Sequence, residues 1–580
     1  MTTSGPGYVL GRSGPPMGPR PPKDVIMPEP RPSRRRGGAL CALVLALSAL
    51  LTTTATVAVP AARADAPGRP AARGPADDRP VVTTDHGPVR GRSHGAYDTF
   101  EGIPFAAPPT GPLRWRDPQP ARPWQEVRDA GAPGPQCLQF SMLGSGPATG
   151  SEDCLTLNVT APSAPAQGRG RPVMVWVHGG AFMFGAGAPY RAERLAVRGD
   201  AVVVTLNYRL GVLGFFGHPE LRGATNFGLA DQRAALRWVR ANAARFGGDP
   251  GRVTLFGESA GALSTCAHLT SPRSAGLFQR AALQSGSCMT AFPRGAVVPA
   301  QPRYEPFVPR SRTETAGTAA AAALGCVRPG AALDCLRGLG TDKVVTPALM
   351  QTFSLVSYGG GGLPQRPDRA LEKGLFHRVP VVQGTTRDEM RLFIALAQST
   401  APIPDARAYR ARLALSFGTA ASAVEARYPL TSYPSPSLAW ATLITDASFT
   451  CTSLRADRAL APRVPTYAYL FSDPNAPRLP GLPAVEGFPY GAAHGFELPY
   501  LFPTVTVPEF TPEQHALADD MAAYWTRFAA TGDPNSPTTP HWPRFGTGPT
   551  VQSLAPGPGG IRPVDAATAH HCAFWDRLAD

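Results

Sequence analysis

Gly257-Glu258-Ser259-Ala260-Gly261 sets a hydroxyl between two glycines. The pattern occurs about 0.3 times by chance in a chain this rich in glycine and serine, so context must decide. It directly follows an apolar β-branched run, Arg252-Val253-Thr254-Leu255-Phe256, and precedes a helical stretch from Ala262 to Leu269. A serine at such a strand-to-helix turn is a nucleophile elbow: flanking glycines permit the sharp turn and leave Oγ exposed above the sheet. The helix N-terminus behind it favours developing negative charge. A second match, Gly91-Arg92-Ser93-His94-Gly95, follows no apolar strand and opens no helix, and is read as a decoy. A nucleophile also needs backbone N–H groups aimed at the oxyanion. Ala260 supplies one, and the small-residue loop His178-Gly179-Gly180-Ala181 is read as the source of the rest.

These groups need rigid strands to hold them. Val173–Val177 and Ala201–Leu206 are short, continuously apolar runs. Between Asp231 and Phe246 the residues Leu236, Trp238, Val239 and Phe246 keep helical spacing, and Gly247-Gly248-Asp249-Pro250 stops the helix. Apolar strands alternating with helices imply an α/β fold, a large and mostly parallel sheet covered on both faces.

The remaining composition narrows the setting. With 43% hydrophobic residues among 580, the chain can build a large core. Glycine and proline, at 61 and 66, indicate many turns and long loops. The net charge of +14 is not a nucleic-acid signature: the arginines are scattered, only Lys23, Lys343 and Lys373 are lysines, and residues 1–64 carry eight bases against two acids. Arg34-Arg35-Arg36, an uncharged Ala/Leu-rich stretch over 39–59 and Ala62-Arg63-Ala64 together read as a secretory leader, residues 1–64, with an uncleaved anchor as the alternative. Met17 and Met27 are alternative starts. Residues 65–80 read as a Pro/Ala-rich linker and 81–578 as a single domain. Eight cysteines remain after the leader, an even number suited to an oxidising compartment. Spacing suggests Cys137–Cys154 and Cys326–Cys335 as local loops, although eight cysteines allow 105 connectivities. No metal, phosphate-loop or dinucleotide motif occurs, so no cofactor is expected. His570-His571, beside Cys572, is placed on the surface.

Longer motifs appear along the chain: Phe100-Glu101-Gly102-Ile103-Pro104-Phe105-Ala106, Glu152-Asp153-Cys154-Leu155-Thr156-Leu157-Asn158-Val159, Asn207-Tyr208-Arg209-Leu210-Gly211, Phe246-Gly247-Gly248-Asp249-Pro250, Gly532-Asp533-Pro534-Asn535 and Cys572-Ala573-Phe574-Trp575. With the elbow, they make residues 81–578 resemble the type-B carboxylesterases, the α/β-hydrolase branch that includes cholinesterases and bacterial p-nitrobenzyl-type esterases. The resemblance implies an α/β-hydrolase fold and a Ser259, Glu389, His494 triad. Glu389 lies in Thr386-Arg387-Asp388-Glu389-Met390, where Asp388 competes for the role. His494 lies in Gly491-Ala492-Ala493-His494-Gly495-Phe496-Glu497. The resemblance places the oxyanion donors at Gly180, Ala181 and Ala260. It supports the two local disulfides and adds Cys451–Cys572, leaving Cys266 and Cys288 open. Glu258 and Glu497 are expected either to support the triad or to be buried, hydrogen-bonded carboxylates. Phe182, Phe184 and Phe496 are weighed as substrate-gorge walls against plain core.

The sequence departs from the family at three points. Ala181 stands where a third glycine is common, Met390 follows the acid in place of glycine, and the Cys137–Cys154 loop lacks tryptophan. A quaternary ammonium needs an aromatic face, so choline esters are disfavoured. The expected protein is a secreted serine ester hydrolase with a small-molecule substrate. No nucleic-acid partner and no stable membrane association are expected, and oligomeric state is not legible. Rival readings are a lipase, lactone or polyester hydrolase with the same chemistry, or a catalytically silent binding protein.

Overall fold

The computed structural model describes residues 79–141, 146–503, 509–546 and 550–579. The expected leader, and the expected linker as far as residue 78, lie outside the described residues.

Eleven strands form one sheet. In chain order they are β1 (Arg92–Ser93), β2 (Tyr97–Pro104), β3 (Thr156–Pro162), β4 (Arg171–Val177), β5 (Val202–Leu206), β6 (Gly248–Glu258), β7 (Arg280–Gln284), β8 (Val381–Thr386), β9 (Thr466–Phe471), β10 (Val551–Leu554) and β11 (Arg562–Val564). Their spatial order is β11-β10-β9-β8-β7-β6-β4-β5-β3-β2-β1. The run from β10 to β5 is parallel throughout, and the flanking pairs are antiparallel. The expectation of a large, mostly parallel sheet therefore holds.

The reason is visible in β4. Every residue of Arg171–Val177 is buried. Side chains alternate across a strand, so Val173, Val175 and Val177 enter one apolar core while Met174 and Trp176 enter the other. Such a strand is stable only with both faces covered. The Phe227–Asn242 helix covers one face through Leu229, Leu236 and Val239. The Pro512–Thr531 helix covers the other through Leu517, Met521 and Phe528, and starts at a Thr511/Gln514 capping box. The first helix begins at Phe227, four residues before the periodic stretch read from sequence, and ends as a short 3₁₀ segment, Ala243–Phe246. Ser93 of the decoy sits exposed on the edge strand β1.

Four disulfides close the fold: Cys137–Cys154, Cys266–Cys288, Cys326–Cys335 and Cys451–Cys572. The second settles the pair left open by sequence. The surface placement of the C-terminal histidines needs correcting. His570 is buried, with Nδ1 2.6 Å from Asp446 Oδ1, and His571 is half-buried. The Cys451–Cys572 bond draws this segment under Tyr428 and Trp575, whose Nε1–H donates to the tyrosine hydroxyl. Among the described residues, no helix is long and apolar enough to cross a membrane.

Candidate active site

Register brings the site together. In the parallel ladder Val177 of β4 lies opposite Gly257 of β6, and Gln284 of β7 lies opposite both Glu258 of β6 and Gly384 of β8. The loops leaving β4, β6, β7 and β8 therefore emerge at one level on the carboxyl edge, where open α/β sheets present their ligand sites.

β6 ends at Glu258 and the Ala260–Leu269 helix begins two residues later. Ser259 alone makes the turn, with φ 56° and ψ −120°, a strained conformation for a side-chain-bearing residue. Its N–H donates to the Gln284 carbonyl at 2.9 Å. The glycines are required sterically: a Cβ on Gly261 would collide with the Val177 carbonyl oxygen, so only glycine lets the helix start against β4. On the facing loop Gly180 has φ 101°, and a Cβ there would strike the Phe184 carbonyl. The N–H groups of Gly180, Ala181 and Ala260 donate to no acceptor among the described residues, leaving three backbone donors beside the elbow. His178 below them is structural. It stacks on Tyr208 with ring centroids 4.4 Å apart, and burial lowers its pKa to about 4.

Glu389 and His494 are in contact. Glu389, fully buried, places Oε2 2.5 Å from His494 Nδ1, while its Oε1 accepts the Thr386 N–H at 2.9 Å. The neighbouring Asp388 carboxylate instead pairs with Arg387 and Arg391 and accepts the Ala492 N–H. Ser259 Oγ, however, makes no hydrogen bond to the ring. His494 Nε2 lies 3.0 Å from Glu258 Oε1, off the line of a hydrogen bond. An adjacent buried carboxylate attracts the imidazole more strongly than a neutral hydroxyl does.

Three buried glutamates thus surround one histidine. Glu497 accepts from Gln284 Nε2 at 3.3 Å, and Gln284 is held in turn by Trp525 Nε1–H at 3.0 Å. Burial raises the Glu258 pKa to about 7, with Glu389 adding to it and His494 opposing, and raises Glu497 to about 8, with both other carboxylates adding. For His494 burial alone would lower the pKa. Glu258, Glu389 and Glu497 outweigh it and lift the ring to about 9.

Of the two readings weighed for the nearby aromatics, plain core fits Phe182 and Phe496. Phe182 and Phe496 are fully buried, packed on Phe215 and Tyr490 respectively, and Phe184 is half-buried. The rings that touch His494 are Phe393, at 5.0 Å, and Phe449, at 5.3 Å. Phe393 lies four residues beyond Glu389, one helical turn, a spacing legible in sequence. Phe449 sits in a π-helical turn, Asp446–Thr450, and nothing in the sequence announces it. Among the described residues no cluster of His, Cys, Asp and Glu is arranged to hold a metal ion.

Comparison with known proteins agrees with this architecture. A profile described as "Carboxylesterase family" matches residues 78–575. Carboxylesterase 3 of Pongo abelii is 34% identical over 530 residues, covering 84% of this chain and 89% of that protein. Fumonisin B1 esterase of Sphingopyxis macrogoltabida is 37% identical over 490 residues, covering 81% and 85%. Among solved structures a PNB esterase superposes with a TM-score of 0.68 at 30% identity, covering 85% of this chain and 99% of that one. An elbow on a doubly covered parallel sheet, a glutamate–histidine pair at its carboxyl edge and relatives matched along most of their length lead to one conclusion: the chain belongs to the carboxylesterase family and is an α/β-hydrolase that cleaves carboxylic esters.

Proposed function

We propose that ester cleavage runs through an acyl-enzyme on Ser259, with His494 as base, Glu389 as its orienting carboxylate and Gly180, Ala181 and Ala260 as oxyanion donors. The observation that carries this reading is the buried Glu389–His494 pair at the edge from which the strained Ser259 turn projects. His494 exchanges Glu258 for the hydroxyl one residue along the chain, and Nε2 takes the Ser259 proton as Oγ attacks the ester carbonyl. The tetrahedral oxyanion is stabilised by the three free N–H groups, each contributing about 3–4 kcal/mol. Collapse returns the proton to the departing alcohol. Water, deprotonated by the same ring, then releases the acid and restores the serine. Glu389 holds the tautomer and stabilises the imidazolium. Phe393 and Phe449 give the site an apolar wall, which suits esters with uncharged hydrocarbon groups.

An organophosphonate with a p-nitrophenyl leaving group is expected to add one phosphonyl group per chain, on Ser259, and to stop turnover in proportion. Label on another residue, or full labelling with activity intact, sinks the reading.

Glu258 sets the pH dependence. Its charge stabilises the imidazolium, so removing it lowers the His494 pKa and leaves more neutral base at any pH below that value. In Glu258→Gln the acidic limb of kcat/KM is expected to move down by about one pH unit. An unmoved or upward-shifted limb would exclude the carboxylate from this role.

Residues 81–578 form the proposed catalytic domain and residues 1–64 a secretory leader. Four disulfides suit an oxidising compartment outside the cytosol.

A further inference from the structure

The Cys266–Cys288 bond joins two segments that both bear on the reacting groups. Cys266 lies two turns into the helix that starts immediately after Ser259, and it is fully buried. Cys288 lies just beyond β7, in a turn where the Ser287 N–H donates to Thr290 Oγ1 at 2.9 Å. Four residues after Cys288 stands Phe292. Its backbone pairs with Tyr304, and its ring stacks on that tyrosine at 5.4 Å. Phe292 also packs against Phe449 at 5.3 Å, and Phe449 packs against His494 at the same separation. A covalent link from the nucleophile's own helix therefore leads, through one short turn and two rings, to the base.

Beside Phe292 lies open space. A cleft of about 550 Å³ is lined by Cys288, Met289, Phe292, Ala447, Thr452 and Trp575, among other residues. The cleft adjoins Phe292 and touches the π-helical turn that carries Phe449, at Ala447, and the residue Thr452 just after it. If the turn at Cys288 relaxes, Phe292 has room to move into it, and the support behind Phe449 is withdrawn.

We infer that the Cys266–Cys288 disulfide is a specificity device: it fixes the Phe292–Phe449 wall against His494 and so limits the length of the acyl chain that the site accepts. The inference rests on the acyl-enzyme reading above. The bond acts by position, not by touching substrate. Both sulfurs are buried, so the link is a permanent brace.

The test is a series of p-nitrophenyl esters from acetate to dodecanoate. It compares the intact disulfide-bonded protein with Cys266→Ala/Cys288→Ala, with Phe292→Ala, and with Cys326→Ala/Cys335→Ala as a control cross-link elsewhere in the fold. In the first two variants kcat/KM for dodecanoate relative to butyrate is expected to rise about tenfold, chiefly through a lower KM for the long ester. The control loses stability without changing that ratio. An unchanged ratio in Cys266→Ala/Cys288→Ala, or an equal rise in the control, overturns the inference. If Cys266→Ala/Cys288→Ala does not accumulate as folded protein, Phe292→Ala decides: an unchanged ratio there removes the wall and the inference with it. An inert starting protein that takes no phosphonate would instead sink the acyl-enzyme reading.

Discussion

Ser259→Ala is expected to lower kcat for a p-nitrophenyl ester by about 10⁶-fold while leaving the unfolding midpoint almost unchanged. The two halves of that expectation come from different features. The loss in rate follows from the covalent route: without Oγ no acyl-enzyme forms, and His494 has no proton to take. Residual catalysis comes from the free N–H groups of Gly180, Ala181 and Ala260, which polarise the carbonyl for water at about 10³-fold over solution. The unchanged stability follows from the side chain's isolation, since Ser259 Oγ makes no hydrogen bond among the described residues and alanine keeps the same backbone turn. Because the three residues act as a unit, His494→Ala combined with Ser259→Ala is expected to be no slower than either alone. A Ser259→Ala protein retaining more than about a hundredth of the rate would point to another nucleophile.

The elbow was readable because its cause is local. Two glycines, a strand before them and a helix after them are all encoded within twenty residues, and the steric need for Gly261 lies one strand away. The choice between Asp388 and Glu389 could not be made from spacing, since neighbouring residues at a strand end differ only in where they point. Family position favoured Glu389. The packing reason is that Arg387 and Arg391 claim Asp388. Phe449 and the buried Asp446–His570 pair were illegible for a stronger reason. Both depend on a π-helical turn and on a disulfide joining positions 121 residues apart, and neither leaves a periodic trace. Phe182 and Phe496 were ambiguous because an aromatic next to a site motif carries the same apolar signal whether it faces substrate or core.

The second large effect is on stability. Arg209→Leu is expected to lower unfolding stability by about 3–5 kcal/mol, because it leaves a buried carboxylate without its partner. Asp231 is fully buried and receives three bonds from Arg209: Nε at 2.8 Å, Nη2 at 2.7 Å and the backbone N–H at 3.0 Å. Burial already raises the Asp231 pKa despite that guanidinium. Without it the group is held neutral to higher pH, so its folded pKa rises further above the unfolded value. Stability in the variant is then retained at low pH and lost as pH rises through the folded pKa, making the deficit larger at pH 8 than at pH 5. The double variant Arg209→Leu/Asp231→Leu is expected to recover most of the loss, since an apolar pair of similar volume avoids burying charge. The pair also reaches the site. Tyr208, adjacent to Arg209, donates its hydroxyl to the His178 carbonyl at 3.0 Å, and the Gly211 N–H donates to the Phe182 carbonyl at 2.7 Å. These two bonds grip the Gly179–Ala181 loop at both ends, so the strap anchored by Arg209 aims the proposed oxyanion donors. Arg209→Leu should therefore lower kcat at temperatures where the protein is still folded, and KM should change little because ground-state binding does not use those donors. Equilibrium denaturation and kinetics on the same preparation check both effects. A single variant as stable as the starting protein, or a double variant no better than the single, would show that the buried charge was not what held this strap.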